Sequence, residues 1–141
     1  MNEIDKQLAL AQWQTCVEMA NAVSQRRDAT NNLFVTLHLA VIGVITAVSS
    51  FSAFEVSVIC LLGMVFCVTW IYIINNFRIL NTQKFQVITE MEKKLPIQPM
   101  TIEWEGIKKT RYKLGSYLEL VLPIVFEFAY AVFMVEHLVS I

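Results

Sequence analysis

Three apolar runs decide what this chain can fold into. Residues 33–50 read LFVTLHLAVIGVITAVSS, residues 54–74 read FEVSVICLLGMVFCVTWIYII, and residues 117–141 read YLELVLPIVFEFAYAVFMVEHLVSI. Each is near the roughly 20 residues a helix needs to cross about 30 Å of hydrocarbon. No water reaches the bilayer core, so the backbone there must satisfy its own hydrogen bonds, and such runs become helices. SSFSAF, between the first two runs, leaves room only for a tight turn. The composition agrees: 56% of the 141 residues are hydrophobic and only 16% are charged, against about 25% charged in a soluble domain. The expected fold class is an all-α membrane protein, one membrane domain over 1–141, with three transmembrane helices at 33–50, 54–75 and 117–139.

Two further elements belong to that fold. Residues 3–30 read as an amphipathic helix, with Ile4, Leu8, Trp13, Cys16, Ala20 and Val23 recurring near the helical period. From Met64 to Leu95 there is no glycine or proline, so the second span is expected to continue as a cytoplasmic extension over 76–95. That extension reaches about 30 Å at 1.5 Å per residue. Phe77, Leu80, Ile88, Met91 and Leu95 give it an apolar stripe broken only by Lys84. Pro96 and Pro99 end it, Thr101 starts a short helix over 101–114, and Gly115 ends that helix. A cytoplasmic stripe of this kind must be covered. The N-terminal helix, the short helix and other copies of the chain are available, so self-association is expected.

Orientation follows from the cations. All eleven Lys and Arg lie in residues 6–27 or 78–113. The positive-inside rule places the N-terminus and the 76–116 segment in the cytoplasm, and the 50–54 turn and the C-terminus outside. Trp70, Tyr72 and Tyr117 fit an aromatic belt at the inner interface. The early charges Glu3, Asp5 and Lys6 do not make a signal peptide.

The third span carries three acids. Glu119 follows Ser116 by three residues, the spacing of a capping box. Glu136 lies five residues from the C-terminus, within reach of the outer interface. Glu127 lies near the membrane midplane, one turn after Pro123. It reads either as a neutral acid bonded to a neighbouring helix or as a pore-lining or proton-carrying group on an oligomer axis. His38, in the first span, reads as a hydrogen-bonding partner for a polar group on another span. Thr36, Ala40, Gly43, Ala47 and Ser50 form a small-residue face opposite it. Cys60, Gly63 and Cys67 form a second close-packing seam.

Other chemistry is missing from the sequence. A net charge of −1 gives no basis for nucleic-acid binding. The three cysteines show no CxxC and no zinc-like spacing with histidine, and read as reduced, buried residues. There is no phosphate loop, GxSxG or HExxH. No catalytic residue, cofactor or metal ligand is expected, and the chain does not read as an enzyme.

RRDATNNLFVTLH before the first span, WIYIINNFRILNTQKFQVITEMEKKLP leaving the second, and IEWEG before the third resemble the RipA-type small bacterial inner-membrane proteins. The resemblance covers roughly residues 15 to 130. It rests on Arg26, Arg27 and Asn31; Leu80, Asn81, Lys84 and Phe85; Glu90, Leu95 and Pro96; and Glu103 and Trp104. It implies an inner-membrane, ring-like homo-oligomer, octameric in the family, and it implies no reaction. It also implies a role for Arg26, Arg27, Asn31, Asn81, Lys84, Glu90, Glu103 and Trp104 as a network tying cytoplasmic helices of adjacent subunits. The competing reading has them solvated or on lipid headgroups. Two functions stay open: a non-enzymatic scaffold that organises the membrane, or a channel or permeabilising effector with a pore along the oligomer axis. Its partners are then other copies, membrane lipid and, in a third reading, an unidentified protein.

Overall fold

The computed structural model of the chain describes residues 3–48, 50–109 and 113–139, with side chains outside 108–118. Among the described residues there are four helices and no strand: α1 Glu3–Ala47, α2 Ala53–Glu92, α3 Pro99–Lys109 and α4 Lys113–Val139. They form two compact units. Unit 1 comprises Met1–Asp28 and Asn76–Gly115, and unit 2 comprises Ala29–Asn75 and Ser116–Ile141.

Several boundaries differ from the sequence reading. The expected break between an N-terminal helix and the first span is absent, because α1 is one helix of 45 residues. No glycine or proline precedes Gly43, and the polar residues near position 31 do not act as a new cap. The Asn31 side chain accepts instead from the Trp70 indole at 2.9 Å. The helix also stops at Ala47, short of residue 50. α3 starts at Pro99, two residues before Thr101. Gln98 accepts the Ile102 amide at 3.0 Å, which leaves proline at the first helical position, where its missing N–H costs nothing. α4 starts at Lys113, so Gly115 and Ser116 lie inside it. One interior glycine costs a helix only about 1 kcal/mol, so Gly115 does not force an end. Ser116 therefore does not sit at the helix start, and its side chain, like that of Tyr117, lies outside the described residues.

A capping box does exist, at Ser52 and Glu55. Glu55 Oε2 accepts from both the Ser52 amide and its hydroxyl at 2.8 Å, and Ser52 Oγ accepts from the Glu55 amide at 3.3 Å. The carboxylate at the start of the second apolar run is thus spent on the free amides of the helix end.

In unit 2, α2 turns Val56, Cys60, Gly63, Cys67, Trp70 and Ile74 inward. Alternating steps of four and three give the 3.5-residue repeat by which helices keep one seam facing a partner. His38 and Ile45 from α1, and Pro123, Phe126 and Tyr130 from α4, meet that seam. Trp70 is fully buried, which corrects its assignment to an interfacial belt, whereas Tyr72 is exposed. The face of Thr36, Ala40, Gly43 and Ala47 is exposed, so this unit packs on the opposite side of α1. Gly63 seats the Tyr130 ring: a Cβ there would lie 2.5 Å from Tyr130 Cζ. Gly63→Ala is expected to lower stability by about 1–3 kcal/mol through overpacking. At Gly43 a Cβ would meet nothing within 4 Å, so Gly43→Ala should leave the protomer's packing unchanged. Thermal unfolding in detergent, followed by circular dichroism, checks this. Equal midpoints for the two variants would refute the seating of Tyr130 on Gly63.

Candidate functional site

Two buried polar centres stand out, one in each unit. In unit 2 the centre is His38, which is 1% exposed. One ring nitrogen, Nδ1, lies 2.8 Å from the Tyr130 hydroxyl, and the other, Nε2, lies 3.7 Å from Cys67 Sγ. Phe34, Trp70 and Phe126 wall the imidazole, with ring centroids at 6.2, 5.7 and 5.0 Å. Cys67 lies beside the Glu127 carboxyl in turn. The result is a chain of polar side chains, Tyr130–His38–Cys67–Glu127, that ties α1, α2 and α4 together. A hydroxyl, a thiol and a neutral imidazole each both donate and accept, so the chain is satisfied in either donor sense. Glu127 itself is half-buried, and its Oε2 is buried with no hydrogen-bond partner in the protomer. Tyr130→Phe keeps the ring on Gly63 but leaves His38 Nδ1 without a partner. It should lower stability by about 1–3 kcal/mol, the cost of an unsatisfied buried polar group. An unfolding midpoint equal to wild type would show that the bond contributes nothing.

In unit 1 the centre is Glu92, the last residue of α2, which is 0% exposed. Its Oε1 accepts from the Met100 amide at 2.9 Å and the Trp13 indole at 3.2 Å. Its Oε2 accepts from the Thr101 amide at 2.9 Å and the Thr101 hydroxyl at 2.8 Å. The two amides are among the first N–H groups of α3, which have no partner within their own helix. A carboxylate also complements the positive end of the helix dipole. Glu92 therefore caps α3 from a different helix and anchors the N-terminal part of α1 through Trp13. Burial acts to push its carboxyl up. The hydrogen bonds from Met100, Thr101 and Trp13 outweigh that, and the carboxyl is held below the usual 4.5.

The sign of the pH effect follows. A carboxyl depressed in the folded state stabilises fully above its unfolded value, and this is lost as pH falls through the folded value. Unit 1 should weaken as pH drops below about 4.5. Glu92→Gln should cost on the order of 2–4 kcal/mol at neutral pH, because one of the two acceptor oxygens becomes a donor facing donors. It should also flatten the acid limb of the unfolding-midpoint profile. A variant profile parallel to wild type down to about pH 3 would remove Glu92 as the cause.

The other expected network residues are spread between the units. Asn31 belongs to unit 2 and is held by Trp70. In unit 1, Asn81 donates to Ser24 Oγ at 3.3 Å, and its own Oδ1 is buried without a partner. Lys84 is half-buried. Arg26 is exposed, and Arg27 is half-buried with Asp28 at 3.9 Å. Glu90 pairs with Lys93 at 2.6 Å on the exposed surface, where such a pair contributes little. Glu103 and Trp104 are exposed on α3. Glu119 is half-buried, and Glu136 is exposed. The sequence reading missed Glu92 and chose Glu90. The available signal was spacing: Glu92 follows the inward Ile88 by one turn.

Three helices are long and apolar enough to cross a membrane, with best windows of mean hydropathy 1.5, 2.4 and 1.6. The fold is all-helical and the chain is a membrane protein. A model of the octameric membrane protein family (8xMP) matches residues 10–139, and the chain belongs to that family. No curated protein and no solved structure matches it.

Proposed function

We propose that the chain is a non-enzymatic subunit of a ring-like octamer in the cell inner membrane, with a scaffolding or membrane-organising role. Unit 1 then lies in the cytoplasm with the N-terminus, and the C-terminus lies outside. The observation that carries this reading is a coincidence between charge and packing. All eleven Lys and Arg fall within the residues of unit 1, and none falls in unit 2. A cation in hydrocarbon is costly, so unit 1 suits water and unit 2 suits lipid. The buried polar groups of unit 2 favour a structural role, because His38, Tyr130 and Cys67 are spent on one another behind aromatic walls.

A second reading, a channel along the oligomer axis, draws on one observation: the buried Oε2 of Glu127 has no partner in the protomer. The two readings differ in what Glu127→Gln does. For a scaffold, native mass spectrometry in a mild detergent should give eight 16.2-kDa copies for wild type and variant alike. Proteoliposomes should show no proton or cation flux above empty vesicles. A wild-type flux that the variant abolishes, with the octamer intact, would overturn the scaffold in favour of the channel.

A further inference from the structure

Unit 1 has an uncovered apolar face. Leu8, Met19, Leu80 and Val87 are large, apolar and about half exposed. Each immediately precedes a residue that is turned inward: Ala9, Ala20, Asn81 and Ile88. At 3.6 residues per turn, one residue is about 100° around the helix. The exposed stripe on α1 and that on α2 are therefore displaced to the same hand of the two inward faces.

The helices run antiparallel here, since Trp13 reaches Glu92 while Ser24 reaches Asn81. Two facing antiparallel helices are related by an axis perpendicular to both, which leaves each side of the pair in place. Stripes of the same hand consequently fall on the same side, and the four residues make one continuous face. α3 lies on the other side. Glu92, which caps it, follows the inward Met91 and so points to the opposite hand. Val17, Ser24 and Thr89, which also follow inward positions, are half-buried, in keeping with a covered side. α3 presents its own exposed apolar residue, Ile102, and Ile97 stands exposed just before it.

We infer that the Leu8–Met19–Leu80–Val87 face of one copy receives the α3 edge, around Ile97 and Ile102, of the next copy. The inference rests on the octameric reading above. The occupant is a second copy of this chain because the family is octameric and the unit bearing the face holds every Lys and Arg, which sets it outside the hydrocarbon. Lipid tails do not cover apolar groups there. Copies inserted with one orientation are related by an axis along the membrane normal. A ring about such an axis joins two different faces of each subunit, head to tail. Two apolar faces on opposite sides of unit 1 meet that requirement.

The test uses the full chain in a mild detergent. Met19→Glu with Val87→Glu spoils one face, and Ile97→Glu with Ile102→Glu spoils the other. All four positions are exposed, so helix content by circular dichroism should match wild type. Native mass spectrometry should show each variant alone falling from the octamer to the monomer. An equimolar mixture should give one-to-one heterodimers, because each pair of different variants retains a single intact contact. A second measurement does not depend on disrupting anything. In a Cys16→Ala chain, Met19→Cys together with Ile102→Cys should oxidise to a ladder of cross-linked copies, and neither cysteine alone should. Octamers that persist in both variants, or mixtures that yield no heterodimer and no ladder, overturn the assignment of faces while the octamer stands. Variants that stay octameric and lose binding to anionic vesicles would give the face to lipid. A wild-type chain that is monomeric would overturn the octameric reading itself, and the face assignment with it.

Discussion

A polar side chain without water must find its partner within the chain, and that requirement fixes how the helices of unit 2 are rotated. His38 meets Tyr130 from α4 and Cys67 from α2 at once. A turn of any one helix by a single residue, about 100°, would break one of these contacts. Apolar packing alone is more permissive, since hydrophobic residues of similar size substitute for one another at modest cost. The histidine thus selects one arrangement among several that the apolar seam would accept. Gly63 completes the selection by letting the Tyr130 ring lie directly on the α2 backbone.

Unit 1 applies the same rule to a charge. Burying a carboxylate costs several kcal/mol unless hydrogen bonds replace its hydration. Glu92 receives four, two of them from amides that α3 would otherwise leave free. The two deficits cancel, because a helix start lacks acceptors and a buried carboxylate lacks donors. This is why an 11-residue helix, short for independent stability, can hold a defined place.

Much of the fold was legible in the sequence because its signals are long. Three apolar runs and the confinement of the cations to two segments survive any local error. What was not legible was local and depended on tertiary contact. Ser116 and Glu119 have the spacing of a capping box, yet α4 begins three residues earlier. Ser52 and Glu55 have the same spacing and form the box. Spacing alone does not separate them; where the helix begins does. Trp70 lies near the inner end of its span, where an aromatic anchor would sit, but its indole is turned inward to Asn31. Glu90 and Glu92 are two residues apart and so lie on different faces of α2. One is solvated with Lys93 and the other is enclosed. Only the inward register at Ile88 separates them, and the position of Trp13 opposite is a property of the packed hairpin.

The two units use their apolar surface in different ways, and the difference bears on assembly. In hydrocarbon, exposed Leu and Val give helices no drive to associate, because lipid tails are equally apolar. In water the same residues do, at roughly 25 cal/mol per Å² removed from solvent. The exposed leucines and valines of unit 2 are therefore neutral towards oligomerisation, while those of unit 1 are not. Unit 2 satisfies its polar groups inward and can slide in the bilayer as a closed protomer. Unit 1, with every Lys and Arg and an apolar face on α1 and α2, carries the surplus that only another copy relieves. On this physics the number of copies is set by the angle between the two faces of unit 1, and the spans follow.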